Sequence, residues 1–269
     1  MTSRDADAWL DAGTAAVVEA GGIALEYFRR PMSVHDKSPG AYFDPVTEAD
    51  RRIETLIRER LGAKFPTHRI VGEEHGDTGF GDTYWVIDPI DGTRSFISGM
   101  PTWGILLGLV ADGEPAVGIM HQPFTDETFL ATATDVARYR HRGSEMTLHT
   151  RTDATLADAV LYSTHPAMLQ HAGLLANFNA LAARCRLQRW GGDCYGFALL
   201  AQGCIDLMID SMLMPYDIVP LIPIIERAGG RVTDLFGKVP LQGGTVIAAA
   251  NSRLHAEALE IMTRPAAPG

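Results

Sequence analysis

The sequence predicts an α+β unit followed by an α/β unit. Three observations carry that class. One long helical pattern opens the chain. A run of strands around a tight hairpin fills the rest of the first half. Strands and helices then alternate through the second. The 269 residues suit about two units at ~150 residues each. The boundary is expected near 150–156, giving an N-terminal half over 1–152 and a C-terminal half over 153–269.

Residues 6–30 place Leu10, Thr14, Val17, Val18, Gly21, Leu25 and Phe28 at three- and four-residue steps, a helix that Pro31 ends. Residues 33–46 are rich in Ser, Pro, Gly and Asp and read as loop. Thr47 is the expected N-cap of a second helix, with Asp50 three residues on. Ile53, Leu56, Ile57 and Leu61 form its apolar face, and it stops before Pro66. Strands follow at 69–71 and at 84–87, the second running into Asp88. Segments 103–110 and 115–121 flank Asp112 and Gly113, a two-residue hairpin signal. Residues 127–132 add a strand, and 133–156 is polar with little pattern.

In the second half, strands are expected at 159–163, 186–189, 205–209, 231–235 and 245–250. Helices are expected at 168–183, 193–202, 217–228 and 252–262. Pro220 falls in the first turn of the third helix, Pro223 should kink it, and Gly229 and Gly230 cap its end.

Apolar residues make up 46% and charged residues 21%, which excludes disorder, collagen and a disulfide scaffold. A net charge of −10 argues against nucleic acid as the main partner, because phosphate backbones are held by basic patches. Cys185, Cys194 and Cys204 fit no zinc spacing, so reduced thiols and a cytoplasmic location are expected. Residues 1–7 are acidic and show no apolar leader run. The most apolar stretch, 102–111, is about half the ~20 residues a membrane helix needs, so no membrane role is expected.

The chemistry lies in acids at strand ends. An apolar strand delivers Asp88, Pro89 forces an extended turn, and Asp91 projects nearby. Gly92 and Thr93 follow, where a helix can begin with free N–H groups. Glu73 and Glu74 sit after a short strand, and Asp217 reads as a helix cap. Taken singly, each has an ordinary explanation as a turn residue, a solvated charge or a cap. Together, Glu73, Asp88, Asp91 and Asp217 place about four negative charges in one pocket. At ~5 Å and an effective dielectric of ~20, each pair repels by about 3 kcal/mol. Divalent cations relieve this, hard carboxylate oxygens suit Mg²⁺, and the metal lowers the pKa of a bound water. Thr93, with Asp50, then gains a role in orienting that water and taking its proton.

These residues carry a resemblance. Residues 44–50, Gly72 to Glu74, 85–93, and Tyr216 and Asp217 with 226–230 resemble the inositol monophosphatase-like family, in order from about residue 9 to 262. The resemblance implies a layered αβαβα sandwich with the site between its halves. It implies Mg²⁺ at two or three positions, held by Glu73, Asp88, Asp91, Asp217 and the Ile90 carbonyl. It assigns water activation to Asp50 and Thr93 and phosphate binding to the N–H groups of Gly92 and Thr93. Lys37 resembles the family's upstream lysine, in a loop lengthened by residues 38–43. The expected partner is a small phosphorylated metabolite, and a homodimer is expected.

Finer features resemble the histidinol-phosphate phosphatases of the family. Thr93, Arg94, Ser95 and Phe96 are one such feature, and Gly191 to Tyr195 another. Histidinol phosphate carries an ammonium and an imidazole, so its pocket should offer extra negative charge. Asp193 and Asp210 are the candidates, beside Arg94, Gly192, Asp91 and Asp217 as further substrate contacts. An inositol or broad sugar-phosphate phosphatase is the alternative within the class. An RNA- or polymerase-associated regulator on the same fold is the alternative outside it.

Overall fold

Small residues seat the first helix. In this computed structural model, which describes residues 3–31, 33–36 and 45–265, α1 (Ser3–Tyr27) buries Ala16, Ala20 and Ala24. A Cβ on Gly13 would stand 2.7 Å from Ile119 Cδ1, so the helix lies close on its sheet. The expected face is therefore only partly right. Leu10, Val17 and Phe28 are buried, whereas Val18 is 49% and Leu25 39% exposed. β1 (Val34–Asp36) pairs antiparallel with β2 (Pro45–Thr47), where the composition suggested loop alone. Lys37 and the 38–43 loop lie outside the described residues. α2 (Glu48–Lys64) begins at Thr47 with a reciprocal capping box to Asp50 and buries Ile53, Ile57 and Leu61.

The first sheet contains β3 (Arg69–Gly72), β4 (Gly76–Thr78), β5 (Tyr84–Asp91), β6 (Gly104–Ala111), β7 (Glu114–Gln122), β8 (Glu127–Thr132), β9 (Arg138–His141) and β10 (Ser144–Thr147). Their order is β10-β9-β8-β7-β6-β5-β3-β4, with only β3 and β5 parallel. A short helix, α3 (Thr93–Ser98), leaves the end of β5. Asp112 and Gly113 make the β6–β7 turn with φ of 54° and 77°, the signs a type I′ hairpin requires. Two expectations change. The polar stretch after Thr132 is not unpatterned: β9 and β10 extend the sheet. Tyr139 is buried against Phe129, but β10 is exposed throughout, so no apolar alternation marks it. β5 also does not end at Asp88, because it continues to Asp91 through a register shift against β6.

The second sheet contains β11 (Val160–Ser163), β12 (Leu187–Trp190), β13 (Leu207–Leu213), β14 (Arg231–Asp234) and β15 (Gly244–Ala249), in the order β12-β11-β13-β15-β14. Its helices are α4 (Pro166–His171), α5 (Leu175–Ala182), α6 (Asp193–Ala201), α7 (Pro215–Ile218), α8 (Leu221–Arg227) and α9 (Ser252–Met262). The single helix expected over 168–183 is two, α4 and α5, separated at 172–174 where Gly173 has φ 72°. The helix expected over 217–228 is also two. It breaks at Val219 and Pro220, and Pro223 falls in the first turn of α8, where a missing N–H is harmless. Gly229 and Gly230 end α8 as expected, donating to Glu226 O at 3.1 Å and Ile225 O at 2.9 Å.

The two sheets do not face each other directly. Leu106, Met120 and Phe129 of the first share one apolar cluster with Phe197 of α6, Ile222 and Ile225 of α8, and Met208 and Val246 of the second. α1 and α2 cover the outer face of the first sheet. α4, α5 and α9 cover the outer face of the second. The result is an αβαβα sandwich, and its middle helix layer brings the first turns of α6 and α7 to the end of β5. Among the described residues no helix is long and apolar enough to cross a membrane.

Candidate active site

A cavity of about 650 Å³ opens where β5, α3, α6 and α7 meet. Asp88, Asp91 and Asp217 each point a carboxylate oxygen into it, and these atoms lie within 4.8 Å of one another. Asp88 is buried and accepts from Ile90 N at 3.0 Å. Asp91 accepts from Cys194 N, in the first turn of α6, at 2.7 Å. Asp217 accepts from Met214 N at 2.8 Å. It is the third residue of α7 rather than its cap, because Met214 takes that place. Burial above all pushes the three carboxyls over the ordinary carboxylate range, and nearby acids add to it: Glu73 for Asp88 and Asp217, and Asp217 for Asp91.

Three crowded carboxylates, one buried and two half-buried, with so little counter-charge need either protons or a hard cation. The oxygen-only donor set fits Mg²⁺. Glu73, just beyond β3, lines the same cavity, and its charge adds to the upward push on Asp88, Asp217 and Asp50. Ile90 also lines the cavity, and its carbonyl accepts from Thr93 Oγ1 at 3.0 Å.

Gly92 turns the chain from β5 into α3. Its φ of 78° is left-handed, and a Cβ would lie 3.0 Å from Asp193 Cγ, so both the conformation and the space require glycine. Gly92 and Thr93 line the cavity at the start of α3. Asp50 is buried off the cavity wall. It accepts from Thr47 N at 2.8 Å and Thr47 Oγ1 at 2.5 Å. Burial, with the charges of Glu73 and Glu74, raises its carboxyl to about 7. Asp50 and Thr93 thus each hold a different partner, Thr47 for one and Ile90 for the other.

The substrate-facing wall departs further from expectation. Gly192 holds the cap position of α6, and Asp193, the first residue of the helix, has a left-handed φ of 44°. Its Oδ2 accepts from Ser95 Oγ at 2.5 Å and Thr102 Oγ1 at 2.8 Å. Arg94 lines the cavity, and its charge draws the Asp193 carboxyl down against the larger upward effect of burial. Asp210 is buried and takes three hydrogen bonds, from Ser163 Oγ, Thr164 N and Thr164 Oγ1 at 2.7–2.9 Å. Burial still raises it to about 6. Thr164 Oγ1 also accepts from Asp193 N at 3.1 Å, linking the two acids. Gly192 does not reach the cavity. It packs toward Met208 and Tyr162, and Gly191 lines the wall instead.

Sequence reasoning missed Ser95, Thr102 and Thr164 as the partners of these acids. Their hydrogen bonds span 98, 91 and 46 residues, so no local spacing announces them.

The sequence matches the inositol monophosphatase family over residues 5–264. It is 34% identical to a bifunctional phosphatase, IMPL2, of Arabidopsis thaliana, over 97% of this chain and 76% of that protein. It is 33% identical to a histidinol-phosphatase of Chlorobaculum parvum, over 88% of this chain and 89% of that protein. An inositol monophosphatase from Zymomonas mobilis superposes with a TM-score of 0.84 at 34% identity, covering 98% of this chain and all of that one. Fold, acid cluster and sequence agree: the chain belongs to the inositol monophosphatase family of metal-dependent phosphatases.

Proposed function

We propose that this phosphatase hydrolyses L-histidinol phosphate to L-histidinol and phosphate in histidine biosynthesis, with two or three Mg²⁺ ions per site. Glu73, Asp88, Asp91, Asp217 and the Ile90 carbonyl would hold the ions. When bound, these supply neutralising charge for the phosphate and a water of lowered pKa. The N–H groups of Gly92 and Thr93 donate to the phosphate oxygens. Thr93, on the cavity wall, orients the attacking water, and Asp50, off the wall, would take its proton by way of Thr93; a carboxyl near 7 suits that acceptor at neutral pH. The three free cysteines support a reducing, cytoplasmic setting.

The observation that carries the substrate is Asp193. Both neighbouring hydroxyls bond its Oδ2, and Asp193 lines the cavity, so its negative charge faces the space a substrate ammonium would take. Asp210 contributes negative field rather than a direct bond, since Ser163 and Thr164 occupy it. A second reading, inositol 1-phosphate or a sugar phosphate, draws on the Zymomonas mobilis likeness. The regulatory reading is weaker, because the acid cluster is intact and the net charge is −10.

Specificity constants on histidinol phosphate and inositol 1-phosphate separate the first two readings, and the first should be the larger. A charge-assisted hydrogen bond contributes ~1.5–3 kcal/mol. Asp193→Asn should therefore lower kcat/KM on histidinol phosphate by roughly 10- to 150-fold. Turnover of p-nitrophenyl phosphate, which has no amine, should hardly change. Equal losses on both substrates would make Asp193 a structural tie between α3 and α6.

A further inference from the structure

Glu54 is fully buried, and both its carboxylate oxygens are engaged. Oε1 accepts from Arg58 Nε at 2.7 Å and from His75 N at 3.1 Å, and Oε2 accepts from Glu74 N at 2.7 Å. Arg58 reaches on to Gly76 O and to Thr78 Oγ1 at 2.7 Å. One acid on α2 therefore grips the whole turn between β3 and β4.

We propose that Glu54 is a positioning residue for the metal site, acting through Glu73. This rests on the reading of Glu73 as a metal ligand. The Glu74 N–H belongs to the peptide that follows Glu73, so its bond to Glu54 fixes the chain direction on the far side of Glu73. On the near side, Glu73 N donates to Ile87 O at 3.2 Å. The ligand is thus pinned to β5 before it and to α2 after it. The space is closed as well: a Cβ at Gly72 would lie 2.1 Å from Glu54 Oε1, so the strand approaches the carboxylate as only glycine permits. Asp50 sits one turn earlier on α2, at i−4, so one helix face serves both the proposed base and the ligand turn. Arg58 is only 14% exposed and offsets the buried charge, which leaves Glu54 free of any need for a metal of its own.

Groups that orient a ligand typically change metal affinity 10- to 100-fold when lost. Glu54→Gln keeps the shape and puts an N–H₂ where one of three donors expects an oxygen. Calorimetric Mg²⁺ titration of the full chain should show affinity weakened by about 10- to 100-fold. The half-saturating Mg²⁺ concentration for turnover should rise in step, with kcat at saturating metal within a few-fold of wild type. Glu54→Asp keeps the charge but withdraws it by one methylene, and should weaken Mg²⁺ binding in the same direction. It serves as the test where Glu54→Gln does not fold. Glu19→Gln breaks an exposed α1–α2 ion pair with Arg60 and should leave affinity unchanged. A lower melting temperature with unchanged Mg²⁺ affinity in either folded variant makes Glu54 purely structural and overturns the proposal. A wild-type chain that binds no Mg²⁺ overturns the metal reading itself, and this proposal with it.

Discussion

Thr93 has one hydroxyl and two claims on it. In the structure it donates to Ile90 O at 3.0 Å, which locks the carbonyl proposed as a metal ligand. The proposed mechanism needs the same hydroxyl beside the attacking water. Both duties act on the reacting centre rather than on ground-state binding. Thr93→Ala should therefore lower kcat by ~10²–10⁴-fold with little rise in KM. Thr93→Ser, which keeps the hydroxyl, should recover most of it. Steady-state kinetics on both variants checks this, and an unchanged kcat with a raised KM reassigns Thr93 to substrate binding. The acids were legible only as a set: each alone reads as a turn residue, a solvated charge or a cap, and several together after apolar strands point to one pocket. Their partners were not. Asp193 looks in sequence like an N-cap of α6, and only the fold brings Ser95 and Thr102 to it. Glu54 looks like any polar residue of an amphipathic helix until the β3–β4 turn closes over it.

Elements were legible where their own residues decide them. The Thr47–Asp50 capping box, the Asp112 and Gly113 hairpin and the glycine end of α8 need no distant partner, and all three stand in the structure. Elements that depend on a neighbour were misread. β10 is exposed on both faces and exists because β9 pairs with it. The shift between Asp88 and Asp91 is a property of the β5–β6 ladder, invisible in β5 alone. The break before α8 falls at Pro220 rather than Pro223 because helix geometry restarts there, and a proline is harmless in any first turn. These misreadings meet at the cavity. The shift in β5 and the short α7 are the devices that turn Asp91 and Asp217 toward Asp88.

At the scale of the whole molecule, burying so many carboxylates has a thermodynamic signature. Asp50 is raised to about 7, and Asp88, Asp91 and Asp217 are raised by burial first and by the charges of nearby acids second. Each binds more protons folded than unfolded. Each therefore contributes stability that is complete below its ordinary value and lost as pH rises through its folded value. His121 and His255, held down to about 4 by burial, work in the opposite sense, and their contribution is lost only as pH falls below ~6.5. Between about pH 6.5 and 8 the carboxylates thus set the slope. The melting temperature in chelator should fall across that window, and Mg²⁺ should remove the fall by stabilising the ionised ligands. A melting temperature that rises with pH in chelator contradicts the buried-acid account. The central claim is that the Asp88, Asp91 and Asp217 cluster makes this chain a metal-dependent phosphatase. It is tested most directly by phosphate release from histidinol phosphate in Mg²⁺, in EDTA and after Mg²⁺ is restored, for wild type and Asp91→Asn. The account predicts release in Mg²⁺, none in EDTA, full recovery on restoration, and a loss of at least ~10²-fold in the variant. Undiminished release in EDTA, or a wild-type rate from Asp91→Asn, would contradict it.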